Sequence, residues 1–124
     1  MSNQWYRGER LFHVGSERLS LTIGVTKDKK RLRITSDTLG YNYHLHEKEI
    51  LNFIEFLSQQ TEEDTVFTDT GGVLNLSIVA NIDNGAVITA SGGFGSPYGF
   101  SYILDKNELL DLTHFLNNIY NKIN

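Results

Sequence analysis

Residues 40–57, GYNYHLHEKEILNFIEFL, align without a gap on residues 99–116, GFSYILDKNELLDLTHFL. Gly40, Tyr43, Leu45, Glu49, Leu51, Phe56 and Leu57 recur as Gly99, Tyr102, Leu104, Glu108, Leu110, Phe115 and Leu116. Chance would give about one identity in a window of this length, so the chain carries one unit twice. The segment upstream repeats as well: Leu19, Leu21, Ile23, Asp28 and Ser36 in 17–36 meet Leu74, Leu76, Ile78, Asp83 and Ser91 in 72–91. Its 124 residues are read as a single domain, 1–124, made of two repeats at about 10–60 and 65–120.

Each unit has the same predicted order. RLFHVGS and DTVFTDT form a weak first strand. In the second, Leu19, Leu21, Ile23 and Val25 alternate with Ser20, Thr22 and Gly24, the period-two signature of a half-buried strand, and Leu74, Leu76 and Ile78 repeat it. TKDKK and NIDNG follow as hairpin turns, with Asn84-Gly85 expected to supply the two positive-φ residues of a type I′ turn. Leu32–Thr35 and Ala86–Ala90 are third strands. Tyr41, Tyr43 and Leu45, or Phe100, Tyr102 and Leu104, mark one face of a fourth.

A helix closes each unit. Ile50, Leu51, Phe53, Ile54 and Leu57 recur at helical spacing, as do Leu109, Leu112, Leu116, Ile119 and Ile123 with Phe115 alongside. Asp105 and Glu108 form a capping-box pattern at the start of the second. The expectation is an α+β fold, an internally duplicated ββββα unit with antiparallel sheet and two packed helices related by a pseudo-two-fold.

The repeat explains the most glycine-rich stretch, SGGFGSPYG at 91–99, as a four-residue enlargement of the connection that reads SDTLG at 36–40 in the first unit. Its spacing is GxGxxxG, no Lys-Ser or Lys-Thr follows, and it runs into a strand, so it lacks the build of a phosphate cradle. Phe94 and Tyr98 nevertheless put aromatic surface on a loop held by a rigid scaffold. Trp5, Tyr6, Arg7 and Arg10, ahead of the repeat, are residue types that anchor interfaces, the alternative being that Trp5 and Tyr6 fold back to cover one end of the core. These six are the candidate ligand- or partner-binding residues.

Other chemistry is thin. His44 and His46 share one strand face, but a zinc site needs a further ligand such as His13 or Glu47, and the second unit has Ile103 and Asp105 at the matching positions. No GxSxG or HExxH occurs, and Glu47, Glu49, Glu55, Glu62, Glu63 and Asp64 read as solvated helix faces or linker. No catalytic residue, metal or cofactor is expected. Cysteine is absent, which excludes a disulfide frame and a thiolate site.

The net charge of −4, with only Lys27, Lys29, Lys30, Arg31 and Arg33 clustered at a solvated hairpin tip, argues against duplex nucleic acid and against a polybasic membrane patch. MSNQWYRGER lacks a signal-peptide core, and a cytoplasmic location is expected.

The order of a Gly-aromatic strand, the helix HEKEILNFIEFLSQQ, the strand GGVLNLSI, the hairpin arm NGAVITASG and YGFSYILDKNELLDLTHFLNNI resembles the small bacterial proteins grouped with the immunity protein of the wall-associated toxin WapI and related uncharacterised domains. The likeness spans about residues 18–122 and rests on hydrophobic spacing and the hairpin glycine. It implies a non-enzymatic bacterial protein, in some members a cytoplasmic toxin inhibitor, and assigns no residue a role. The leading expectation is therefore a bacterial or phage binding protein of the immunity or anti-defence kind that acts through a protein partner. Two alternatives stand beside it. One is a small-molecule or nucleotide sequesterer working as a homo-oligomer, with Phe94 or Tyr98 on a base and Arg7, Arg10 or Arg33 on a phosphate. The other is an enzyme with no local motif.

Overall fold

The computed structural model describes residues 8–16, 19–36, 41–71, 74–92 and 99–120, without the Tyr41 side chain. The order is β1 (Arg10–Gly15), β2 (Ser20–Val25), β3 (Arg31–Ser36), β4 (Tyr41–His46), α1 (Glu47–Ser58), then β5 (Thr65–Gly71), β6 (Leu74–Asn81), β7 (Gly85–Gly92), β8 (Gly99–Leu104), α2 (Lys106–Tyr120). This is the expected doubled ββββα unit. Each repeat builds its own antiparallel four-stranded meander, sheet A in the order β1-β2-β3-β4 and sheet B in the order β5-β6-β7-β8.

The inward rows join into one core. Leu21, Ile23, Leu32, Ile34, Tyr43 and Leu45 from sheet A, Leu76, Ile78, Ile88, Tyr102 and Leu104 from sheet B, and the stripes Ile50/Phe53/Ile54/Leu57 and Leu109/Leu112/Leu116/Ile119 of the helices are all buried together. Each helix packs on its own sheet and also reaches the first strand of the other one. Phe56 of α1 meets Phe67 of β5 with ring centroids 5.7 Å apart, and Phe115 of α2 meets Phe12 of β1 at the same 5.7 Å. These are repeat-equivalent pairs, so the two units exchange the same contact about a pseudo-two-fold axis.

The two helix starts differ. At α2, Glu108 N donates to Asp105 Oδ1 at 2.8 Å and Asp105 N donates to Glu108 Oε1 at 3.0 Å, the expected capping box. At α1 the corresponding His46 caps nothing with its side chain, and acidic Glu47 and Glu49 in the first turn offset the helix dipole there.

Three expectations are corrected. The second hairpin is not a type I′ turn, because Asn81 pairs with Gly85 across three turn residues and, of the Asn84-Gly85 pair, only Gly85 has positive φ. Asn81 Oδ1 takes up the amides of Asp83 and Asn84 at 3.0 and 2.7 Å, which sets the turn, and a Cβ at Gly85 would lie 2.1 Å from the Leu104 carbonyl.

The first hairpin is one residue longer, with Val25 opposite Leu32 where Ala80 faces Ala86. The ungapped match of Ser36 to Ser91 therefore slips: Ile34 and Ile88 are the true equivalents, opposite Tyr43 and Tyr102, and the β7–β8 connection is five residues longer than β3–β4, not four.

Third, β2 is not half-buried. Ser20, Thr22 and Gly24 are buried too, Ser20 and Thr22 less completely than Leu21, Ile23 and Val25, and Arg33, expected at a solvated tip, is buried as well. Glu9, which lies over Gly24 and holds Arg33, and His13, which meets Thr22, account for much of this.

Candidate binding surfaces

The outward faces of the two sheets are unlike. On sheet A, register places Leu11 and His13 of β1, Ser20, Thr22 and Gly24 of β2, Arg31, Arg33 and Thr35 of β3, and Asn42, His44 and His46 of β4 on one face. Glu9 lies over its centre. Its carboxylate receives Arg33 Nη2 at 2.9 Å and Nε at 3.4 Å, with the Arg33 and Glu9 side chains only 9% and 2% exposed. The carboxylate sits where a side chain on Gly24 would be, 2.8 Å from the ideal Cβ position, so glycine makes room for it. Arg33 Nη1 also donates to Thr35 Oγ1, which donates to Asn42 Oδ1 at 2.6 Å, while His13 Nδ1 and Thr22 Oγ1 are 2.8 Å apart. Burial, then the charges of Arg31 and Arg33, hold the His44 imidazole below its ordinary pKa. Around Arg33 this face is a polar network, with Leu11 exposed at its β1 edge.

Sheet B is bare on the matching side. One cross-strand row runs Val66–Val79–Val87–Ile103 across all four strands, and these residues are 59%, 37%, 40% and 71% exposed. The next row, Thr68–Ser77–Thr89–Ser101, is hydroxyl throughout, with Thr89 Oγ1 and Ser101 Oγ 3.2 Å apart. No outward strand residue here is ionisable. A hollow of about 190 Å³ adjoins the apolar row, bordered by Asp64 and Asn81, which share a 2.6 Å hydrogen bond. An apolar row with hydroxyls on one side and no charged residue on the outward face of the strands matches the make-up of the buried centre of a protein interface.

A second concavity, a groove of about 360 Å³, opens between the helices. Leu57, Ile82, Leu109 and Leu110 form its apolar wall, and Lys106 and His114 stand on its rim. Its floor includes Asn117, whose Nδ2 donates to Ser58 Oγ at 3.2 Å and to the Thr113 carbonyl at 2.9 Å. On the pseudo-symmetric side a tyrosine occupies the corresponding place. Tyr120 Oη donates to the Lys29 carbonyl at 2.8 Å, and burial together with the charges of Glu47 and Asp28 pushes this phenol up to about 12.

Of the six residues singled out from sequence, only Arg10 is among the described residues. It opens β1 opposite Val25 and is exposed. Trp5, Tyr6, Arg7, Phe94 and Tyr98 lie outside them. Arg33, a candidate phosphate ligand in the nucleotide reading, is instead engaged by Glu9 and Thr35. His13 and His44 face the same way but belong to β1 and β4, the two edge strands of sheet A, roughly 14 Å apart at normal strand spacing. Among the described residues no group of three or more His, Asp or Glu is placed to hold a metal ion, and no helix is long and apolar enough to cross a membrane.

The Val66–Val79–Val87–Ile103 row was missed from sequence because each member sits beside a core residue in an unbroken apolar run, as in Ile78-Val79 and Val87-Ile88. Only register separates outward from inward. A scan against protein-family models and a search of curated proteins each find no match to this chain.

Proposed function

We propose that this chain is a non-enzymatic binding protein of bacterial or phage origin, an immunity-type or anti-defence inhibitor acting in the cytoplasm, which captures a protein partner on the outward face of sheet B. The observation that carries the reading is the exposed Val66–Val79–Val87–Ile103 row, uncharged and continuous over four strands. The contrast with sheet A strengthens it. There the matching face is filled by Glu9 and Arg33, whereas in sheet B the same architecture presents apolar side chains to the outside.

Four strands by seven residues give a footprint of roughly 400 Å², about half of what one partner buries in a standard complex. Phe94 and Tyr98, in the sequence between β7 and β8, are the further aromatic anchors in this reading.

Photocrosslinking in cells tests the proposal. A benzoylphenylalanine at Val87 yields one discrete protein adduct, while the same probe at Glu62 yields none. Adducts from Glu62 alone, or no adduct from Val87, would overturn it.

A further inference from the structure

The groove between the helices has an internal comparison that shows what fits it. Its walls come from the C-terminal end of α1 (Leu57), the β6–β7 turn (Ile82) and the N-terminal turns of α2 (Lys106, Leu109, Leu110). The pseudo-two-fold turns these into the C-terminal end of α2, the β2–β3 turn and the N-terminal turns of α1. That is where Tyr120 lies, its hydroxyl on the Lys29 carbonyl and the charges of Glu47 and Asp28 near it. On that side the chain places its own phenol, half-buried, between the end of α2, the β2–β3 turn and the start of α1. At the other socket, the residue equivalent to Tyr120 is Thr61, Gln60 and Thr113 stand where the first has Ile119 and Ile54, and a groove of about 360 Å³ opens. That volume is at the lower end of the range that small-molecule sites occupy.

Charge distinguishes the sockets. Glu47 and Glu55 on the filled side are replaced at the equivalent positions by Lys106 and His114, both on the rim of the open groove. The β2–β3 turn brings Lys27, Lys29 and Lys30 to the first socket where the open groove has Ile82, Asp83 and Asn84, so the part of the open groove that favours an anion is its α2 rim, at Lys106 and His114.

We infer that the groove between α1 and α2 binds a small planar aromatic carboxylate, its ring against Leu57, Ile82, Leu109 and Leu110 in the manner of Tyr120 and its carboxylate toward Lys106 and His114. Ser58 and Asn117, hydrogen-bonded to each other, put polar atoms into the lining of the groove. The site lies on the helix side of the molecule, away from the outward face of sheet B, so it stands independently of the proposed protein contact.

Titrating the isotopically labelled full-length chain with phenylacetate, followed by amide chemical shifts, tests this. Saturable shifts are expected at Leu57, Leu110 and Thr113. Neutral 2-phenylethanol and non-aromatic hexanoate should bind at least about fivefold more weakly, the scale of one charge contact or one ring contact. Lys106→Glu, which recreates the charge of the filled side, should weaken phenylacetate by about tenfold, and Lys106→Met, which keeps the aliphatic stem, by about fivefold. The inference is overturned if phenylacetate produces no saturable shift at these residues, if either control probe binds as well, or if Lys106→Glu binds as the parent does.

Discussion

Asn117 Nδ2 donates to Ser58 Oγ at 3.2 Å, and these two residues occupy the same position in the two repeats. A contact between equivalents can form only where the pseudo-two-fold axis passes, so the axis runs between the C-terminal parts of α1 and α2. Asn117 is buried and Ser58 is not, which makes their removal unequal. Asn117→Ala is expected to cost about 1.5 kcal/mol in urea unfolding and Ser58→Ala about 0.5 kcal/mol. The double variant should show a coupling of about 0.5 kcal/mol, as for two groups in direct contact.

The Glu9–Arg33 pair closes the outward face of sheet A with both partners almost fully covered. Removing one partner strands the other charge. Glu9→Ala should therefore destabilise by about 3 kcal/mol, whereas the paired replacement Glu9→Leu with Arg33→Met should recover most of that loss. Gly24→Ala offers an independent check, since its methyl group would press on the Glu9 carboxylate. Chemical denaturation of the four proteins at one pH orders them.

His44 makes stability depend on pH. Burial first, then Arg31 and Arg33, with His46 adding to them and Glu9 opposing, depress its folded-state pKa below the unfolded value of about 6.5. A depressed imidazole binds its proton more readily in the unfolded chain. Its contribution is thus fully present above the unfolded pKa and is lost as pH falls from there through the folded pKa. Relative to the parent, His44→Gln should show a flatter stability profile between about pH 7 and pH 5, with the two profiles parallel above that window.

Tyr43 and Tyr102 are repeat equivalents that each reach the first strand of the other unit, but with different partners. Tyr43 donates to Asp69 of β5, and burial together with this carboxylate raises the phenol far above its usual pKa. The Tyr102 hydroxyl lies beside Gly15 of β1, 2.7 Å from where a Cβ would stand. Tyr43→Phe should cost about 1.5 kcal/mol by leaving Asp69 on the inner face without its donor, and Tyr102→Phe about 0.5 kcal/mol. Comparable losses in thermal melts would show that Asp69 adds nothing to the contact between the sheets.

Strand order, both helices and most of the inward rows were legible because the repeat doubled every signal, as with Leu21 and Leu76 or Phe56 and Phe115, but Leu19 and Leu51, expected on the inward faces, are exposed. The hairpin slip was not legible, since Asp28 and Asp83 align by identity while the extra residue of the first turn shifts everything after it by one. Arg33 misled because its fate depends on Glu9, 24 residues away and brought over it only by β1 pairing with β2. The candidate surface on sheet B depends in the same way on a register that sets Val66, Val79, Val87 and Ile103 in line. Side chains near in space and far in sequence leave no local pattern.

The account stands or falls on whether the outward face of sheet B holds a protein. Native mass spectrometry of the chain purified gently from its own cells, compared with the variant Val66→Lys with Ile103→Lys, measures this directly. Both substitutions are on well-exposed positions, so the melting temperature of the variant should stay within a few degrees of the parent. The expected result is a discrete heterologous mass bound to the parent and absent from the variant. The same bound mass in both proteins, or a bare chain in the parent, would contradict the account.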